Sequence, residues 1–412
     1  MTRGAGGGDE RPSDEQIERR FLTWVGTRAF LHNGWWLATT LYFAGPLGLS
    51  AEQLILIGVF QSAVALLAEV PAGVVADTIG RKISILISQV LMGSAMFLTA
   101  FAENFAAAVA TQILWGISWT FASGAETAWL SDEVEHPTHV ATAIAHSDEA
   151  KLTGAAAGIV VLGGLAWLTQ VQFIMALAGV SMLALGGFVL LRFPERGFTR
   201  HRGQHFRRSW LVLLDAIKRV RSSRVLAIYF IATFLVNGGS DAFGRLIPAI
   251  LSDMPALPLA SPILGLTALS LAALACGAVT LRIYQRLELQ NRTDGRDFAI
   301  AAGIGVFGLS LLGTVGNMLF GVAALLVVSG VSTPLLRTIA TIRVNSATTR
   351  ESRATIHSFL SQSEYAGEVL CGLLLAALAE YAGRPAALLG CAILFAGATL
   401  AALIDRQRRS ET

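Results

Sequence analysis

Gly73-Val-Val-Ala-Asp77-Thr-Ile-Gly80-Arg81-Lys82 joins two long apolar runs, Leu54–Ala76 and Ile83–Phe101. A short charged stretch between two such runs reads as a tight hairpin linking two membrane helices. Gly73 leaves room for a neighbouring helix to approach. Gly80 supplies a turn residue with no Cβ to clash. Arg81 and Lys82 hold the hairpin on the cytoplasmic side. Asp77, at a helix end, needs a partner, and a nearby Arg is the natural one.

The rest of the chain fits a membrane setting. Of 412 residues, 54% are hydrophobic and only 14% charged, against about a quarter charged in a soluble domain; the mean hydropathy is +0.60. About 20 apolar residues cross a bilayer. Twelve candidate spans run approximately 21–45, 53–76, 83–102, 105–131, 143–167, 171–192, 224–250, 261–283, 298–315, 317–343, 355–381 and 385–404. The expected fold is therefore an all-α polytopic membrane protein of twelve transmembrane helices.

Basic residues set the expected orientation. The connection Arg192–Arg224 carries ten Lys/Arg and two acids. Further clusters lie at Arg282–Arg296, Arg343–Arg353 and Arg406–Arg409, whereas the alternate connections hold only Arg384. Both termini are thus expected in the cytoplasm, with the chain in the cell membrane. The net charge of +3 is a topology signal and gives no case for nucleic-acid binding. Met1–Arg20 lacks the apolar core of a signal peptide and reads as a polar tail.

An internal repeat divides the chain. Phe30-Leu31-His32-Asn33-Gly34 returns as Phe234-Leu235-Val236-Asn237-Gly238, a shift of 204 residues. The same shift lays the hairpin onto Gly277–Arg286, where the first Gly and the terminal basic residue survive. The expected organisation is a tail (1–20), a six-helix bundle (21–192), a basic loop (193–223), a second pseudo-symmetric six-helix bundle (224–404) and a short tail (405–412). Within the loop, Ser209–Val220 reads as an amphipathic helix lying on the membrane.

The pattern G-x-x-x-D-x-x-G-R-K resembles the loop 2–3 signature of the major facilitator superfamily of secondary transporters, and the twelve spans in two repeats match that fold. Glu69-Val-Pro71-Ala-Gly73 and Ser123-Gly124-Ala125-Glu126-Thr127-Ala128-Trp129-Leu130 resemble runs of a drug-efflux-like branch. The resemblance implies a gating motif of Gly73, Asp77, Gly80, Arg81, Lys82 and Asp132, with Asp132 pairing Arg81. Two features depart from it. Gln112 stands where proton-coupled exporters carry an Arg in helix 4. The Gly-rich fifth span, with Gly154, Gly158, Gly163 and Gly164, has no proline.

Charges inside the spans mark where function resides, because each costs about 2.5–3.5 kcal/mol at mid-bilayer. They are Arg28, Glu69, Glu126, Asp241, Arg245, Arg337, Glu364 and Glu368. At 1.5 Å per residue, Arg28 and Glu126 lie at similar depth and are expected to pair. Arg28, Glu69, Glu126, Asp241 and Glu364 are the candidates for proton or charge coupling. His32, Asn33, Trp35, Trp115, Trp119, Asn237 and Arg337 are the candidates for the substrate cavity. Several indoles and few fixed charges suit a bulky, amphipathic, aromatic or weakly basic molecule. Trp24 and Trp167 are expected in an interfacial belt.

The remaining motifs carry little chemistry. Cys276, Cys371 and Cys391 read as small buried hydrophobes. His136 and His139, around Pro137, read as a solvated loop without a metal. No G-x-x-x-x-G-K-S/T run points to ATP, so no enzyme and no cofactor are expected. The expected reading is a monomeric proton-coupled exporter of a lipophilic small molecule, with the bilayer as its other partner. Proton-linked uptake of a metabolite or siderophore stays open, as does a non-transporting sensor.

Overall fold

A computed structural model describes residues 12–198, 217–253, 261–288, 295–314, 318–349 and 353–409. All of the regular elements in these segments are helices. The first half comprises α1 (Asp14–Ala44), α2 (Ala51–Thr78), α3 (Arg81–Thr99), α4 (Phe105–Ser123), α5 (Ala125–Glu133), α6 (Pro137–Leu168) and α7 (Val171–Arg192). The second comprises α8 (Arg224–Asp253), α9 (Pro262–Glu288), α10 (Gly295–Thr314), α11 (Met318–Leu326), α12 (Thr333–Ser346) and α13 (Arg353–Arg409).

Twelve crossings emerge once three junctions are read correctly. α5 continues α4 through Gly124, and α11 runs into α12 through a π-helical turn, Val327–Ser332. α13 is two helices joined at Gly383, whose φ of 80° only glycine adopts freely. Pro385 lies just beyond, where it can open a new helix but not continue an old one. Ten described stretches are long and apolar enough to cross a membrane, the last of them spanning both parts of α13. α1 completes the set. Its polar Arg28, His32 and Asn33 make it the least apolar crossing.

Two apolar cores form, one in each half. The first gathers Trp24, Trp35, Met92 and Met182; the second gathers Tyr229, Phe298, Leu375 and Phe395. The repeat seen in the sequence is a repeat of packing. A Cβ on Gly158 (α6) would stand 2.0 Å from the carbonyl oxygen of Phe30, and one on Gly367 (α13) 2.1 Å from that of Phe234. Gly34 and Gly238 face these same partner helices. Small residues let the two backbones touch, which is how membrane helices gain packing where no water drives them together. Asn33 and Asn237 each bond the carbonyl four residues back, at 2.8 and 3.0 Å.

The halves meet towards the face opposite the signature hairpin. There Gly372 packs on Val59 and Ile55, Gly163 on Thr267, and Gly58 on Asp241 and Arg245. The cross-half contacts of α2 run from Ile55 to Ser62, whereas Gly73, near the hairpin, is exposed. A cleft thus opens to the hairpin face. The loop helix expected at Ser209–Val220 lies mostly outside the described residues; Ile217–Ser222 is helical.

Candidate functional site

The hairpin brings its charged residues together. Arg81 opens α3 and pairs with Asp77 one turn back, at the end of α2, while its Nε lies 3.6 Å from Asp132 of α5. Gly80 has a φ of 150°, and Glu195 fills the space beside it. The Lys82 backbone N–H donates to Glu195 at 2.9 Å, which satisfies a free donor at the α3 N terminus. Gly73 departs from expectation. Among the described residues nothing comes within 4 Å of where its Cβ would stand, because the cleft opens beside it. The close helix approach it was expected to allow is absent in this conformation.

Glu195 belongs to a segment the sequence reading passed over. Phe193 stacks on Trp129 with ring centroids 4.1 Å apart, and Trp129 Nε1 donates to Pro194 at 2.8 Å. The N–H groups of Arg196 and Gly197 donate to Glu133 at 2.6 and 2.9 Å. This strap fixes α5, and with it Asp132. The available signal was the Pro-Glu-x-Gly run directly after α7. Trp24 is corrected as well: it is fully buried, packed on Phe21 and Phe193 rather than at a membrane interface. Trp167 is 49% exposed.

In the first half Arg28 Nη1 donates to Glu126 at 2.9 Å, with side-chain exposures of 6% and 18%. The guanidinium lies 4.3 Å above the Trp119 ring and 5.2 Å from that of Trp24. One turn along α1, His32 sits among Trp36, Trp115 and Trp119, closest to Trp115 at 5.3 Å. His32 Nε2, Trp115 Nε1 and Trp119 Nε1 find no partner among the described residues. Trp35, expected on the cavity wall, is instead core. It is wholly buried and donates to Met96 at 3.2 Å, so it backs the aromatic cluster. Asn33 spends its amide on its own helix. Glu69 accepts from Ser123 at 3.3 Å, tying α2 to the end of α4. Gln112 is buried with both amide atoms unpartnered among the described residues.

Polar groups also line the seam between the halves. Arg245 binds Asp241 at 2.8 Å on its own helix and reaches Gln61 of α2 at 3.2 Å. Its guanidinium lies 5.7 Å from the Trp36 ring. One residue along α2, Ser62 donates to Glu368 of α13 at 2.5 Å. Glu368 and Arg245 were visible as intramembrane charges, but nothing in the sequence said they would meet α2. A cavity of about 260 Å³ adjoins this seam within the second half, lined by Thr233, Asn237, Arg337, Thr341, Glu364 and Glu368 among others. Arg337 follows the π-helical turn by one helical turn and donates to Asn237 at 3.0 Å.

The His136–His139 pair faces carboxylates of α1. His136 Nδ1 lies 2.7 Å from Asp14, and His139 and His146 each lie 2.6 Å from Glu18. The hydrogen bond to Asp14 raises the His136 pKa above the ordinary imidazole value, while the Glu135 N–H holds Asp14 below the ordinary carboxylate value. Among the described residues no group of His, Cys, Asp or Glu is arranged to hold a metal ion.

Comparison with known proteins places this geometry. The Major Facilitator Superfamily profile matches residues 26–293. An uncharacterized MFS-type transporter, YxaM of Bacillus subtilis (strain 168), is 24% identical over 203 residues. That match covers 49% of this chain and 51% of the relative, so the chain spans about half the length of the curated protein it matches. Among solved structures, the nucleoside transporter NupG is 14% identical, covers 95% of this chain and 98% of its own, and superposes with a TM-score of 0.74. A POT family transporter in complex with 5-aminolevulinic acid is 13% identical over 96% of each chain, with a TM-score of 0.73. At such identities the structures speak for the fold alone. The chain belongs to the major facilitator superfamily and is a multi-pass membrane protein.

Proposed function

We propose that the chain is a proton-coupled exporter of amphipathic, aromatic small molecules, working as a monomer in the cell membrane with both termini in the cytoplasm. The two six-helix units, 21–192 and 224–404, would rock about the central cleft. The observation that carries this reading is the seam itself. It is bridged near mid-helix by hydrogen bonds from Ser62 to Glu368 and from Arg245 to Gln61, Gly372 packs on Val59 and Ile55 towards the far face, and it opens at the hairpin face onto ionisable groups. Alternating access needs a group whose charge state favours one conformation over the other. Carboxylates that bond across or beside a moving seam meet that need.

Glu126 and Glu69 are the proposed proton carriers, with Asp241, Glu364 and Glu368 on the opposite wall. Asp77, Arg81 and Asp132 form the proposed clamp on the hairpin side; it is already made within the first half while that face is open, and its proposed action on the outward-open state is through contacts made when the face closes. The Trp36, Trp115 and Trp119 faces supply the surface for an aromatic ligand. Export as the direction rests on the resemblance of the Glu69–Gly73 and Ser123–Leu130 runs to an efflux-like branch. Uptake is the second reading. Gln112 favours it, since an exporter of that branch would carry an Arg there.

The sign of the pH gradient separates the two. In proteoliposomes an antiporter accumulates substrate when the lumen is acidic, and a symporter when the outside is acidic. Hits from a thermal-shift screen on purified protein supply the substrates. Flux that follows neither gradient would remove proton coupling from the account.

A further inference from the structure

Of the three intramembrane arginines beside the cleft, two are neutralised by a carboxylate. Arg28 pairs with Glu126, and Arg245 with Asp241. Arg337 differs: among the described residues its guanidinium meets only the Asn237 amide, at 3.0 Å, and no carboxylate lies within ion-pair distance of 4.0 Å. Glu364 lines the same cavity and feels the Arg337 charge, yet makes no ion pair with it. Opposite charges in a low-dielectric wall collapse together unless the backbone holds them apart. Here the holding is visible. Asn237 of α8 pulls Arg337 to one side, and Glu364 stands on α13.

From this the geometry points to a headgroup subsite for a zwitterion: an acidic group of the substrate on Arg337 and a protonated amine on Glu364. This rests on the transport reading above and names its substrate class. A planar guanidinium with one nitrogen occupied by Asn237 still offers a fork that matches a carboxylate. A substrate carrying only an amine would face the unpaired Arg337, and one carrying only an acid would face Glu364 and Glu368. Each would leave one wall charge desolvated without a partner, which is the costly case. The cavity volume, about 260 Å³, suits a headgroup more than a whole drug-sized ligand, for which sites run from about 300 to 1,000 Å³. The aromatic remainder then extends into the cleft, towards Trp36.

The test uses three probes with one aromatic body: an arylpiperazine carboxylic acid, its methyl ester (amine only) and its N-acetyl derivative (acid only). Isothermal titration on the purified protein should show the zwitterion bound about ten-fold or more tightly than either relative, the worth of one charge-assisted hydrogen bond. Arg337→Gln should bring the zwitterion down to the affinity of the ester, and Glu364→Gln down to that of the N-acetyl compound. Arg337→Lys should keep part of the preference, because it keeps the charge and loses the fork. Equal binding of ester and zwitterion by the wild type would overturn the assignment, as would failure of all three to bind. So would an Arg337→Gln protein that loses all three alike, the mark of a merely structural arginine. Gradient-driven flux of the same probes keeps the two readings apart. Flux that follows the pH gradient while Arg337→Gln leaves discrimination unchanged would sink only the subsite. Discrimination that depends on Arg337 while flux ignores the gradient would sink only the coupling.

Discussion

Replacing Glu126 by Gln removes the charge that faces Arg28 while keeping shape and an acceptor oxygen. Arg28 is 5% exposed, and its Nε and Nη2 have no partner among the described residues. Glu126 is therefore the group that neutralises it. Removing one member of a buried pair costs about 3–5 kcal/mol. The retained hydrogen bond and the Trp119 face at 4.3 Å place the expected loss at the lower end, about 3 kcal/mol. For a cooperative unit the size of one half, that is a fall in Tm of roughly 6–12 °C. Arg28→Gln combined with Glu126→Gln should recover most of it, since no charge is then left alone. In proteoliposomes, Glu126→Gln should lose pH-driven flux yet still exchange substrate down its own gradient. If it unfolds at the wild-type temperature and keeps full pH-driven flux, both the electrostatic and the coupling arguments fail. Should Glu69→Gln also keep full flux, the proton passes through Asp241, Glu364 or Glu368.

Other expectations follow from the same geometry. Asp77→Asn should depress transport with expression and ligand binding largely intact, measured by flux and titration side by side; unchanged flux would take the clamp out of the mechanism. Gly158→Val and Gly367→Val should each destabilise the purified protein by about 1–3 kcal/mol or more, because a Cβ at either site meets backbone at 2.0 or 2.1 Å. A thermal melt in which only one of them suffers would contradict the equivalence of the two halves. In intact cells, a Cys at Gly203 should be protected from an impermeant thiol reagent and one at Arg384 labelled; the reverse pattern would invert the proposed orientation.

The spans were readable because apolar length alone specifies them. The expected 171–192 and 105–131 meet helices Val171–Arg192 and Phe105–Glu133. The Arg28–Glu126 pair was readable from depth, since two charges at one level of neighbouring helices have few other partners. The Asn33 and Asn237 repeat was readable because packing glycines travel with it. What crosses the seam was not. Ser62 and Gln61 look like ordinary polar residues of α2, and their bonds to Glu368 and Arg245 depend on how two halves dock. Trp24 and Trp35 were misjudged for a related reason: an indole near a span end or a cavity carries no mark of the face it occupies. The π-helical turn at Val327–Ser332 was likewise silent. Pro334, just after it, signals a helix start rather than a widened turn.

The most direct test of the account is substrate flux into proteoliposomes under imposed pH gradients of either sign, with the tightest-binding amphiphile from the thermal-shift screen. Proton-coupled export predicts accumulation when the lumen is acidic, collapse of that accumulation on adding a protonophore, and no accumulation in the Glu126→Gln protein. Accumulation driven only by an acidic exterior would reverse the direction. Equal flux under both gradients, unaffected by the protonophore, would contradict the central claim.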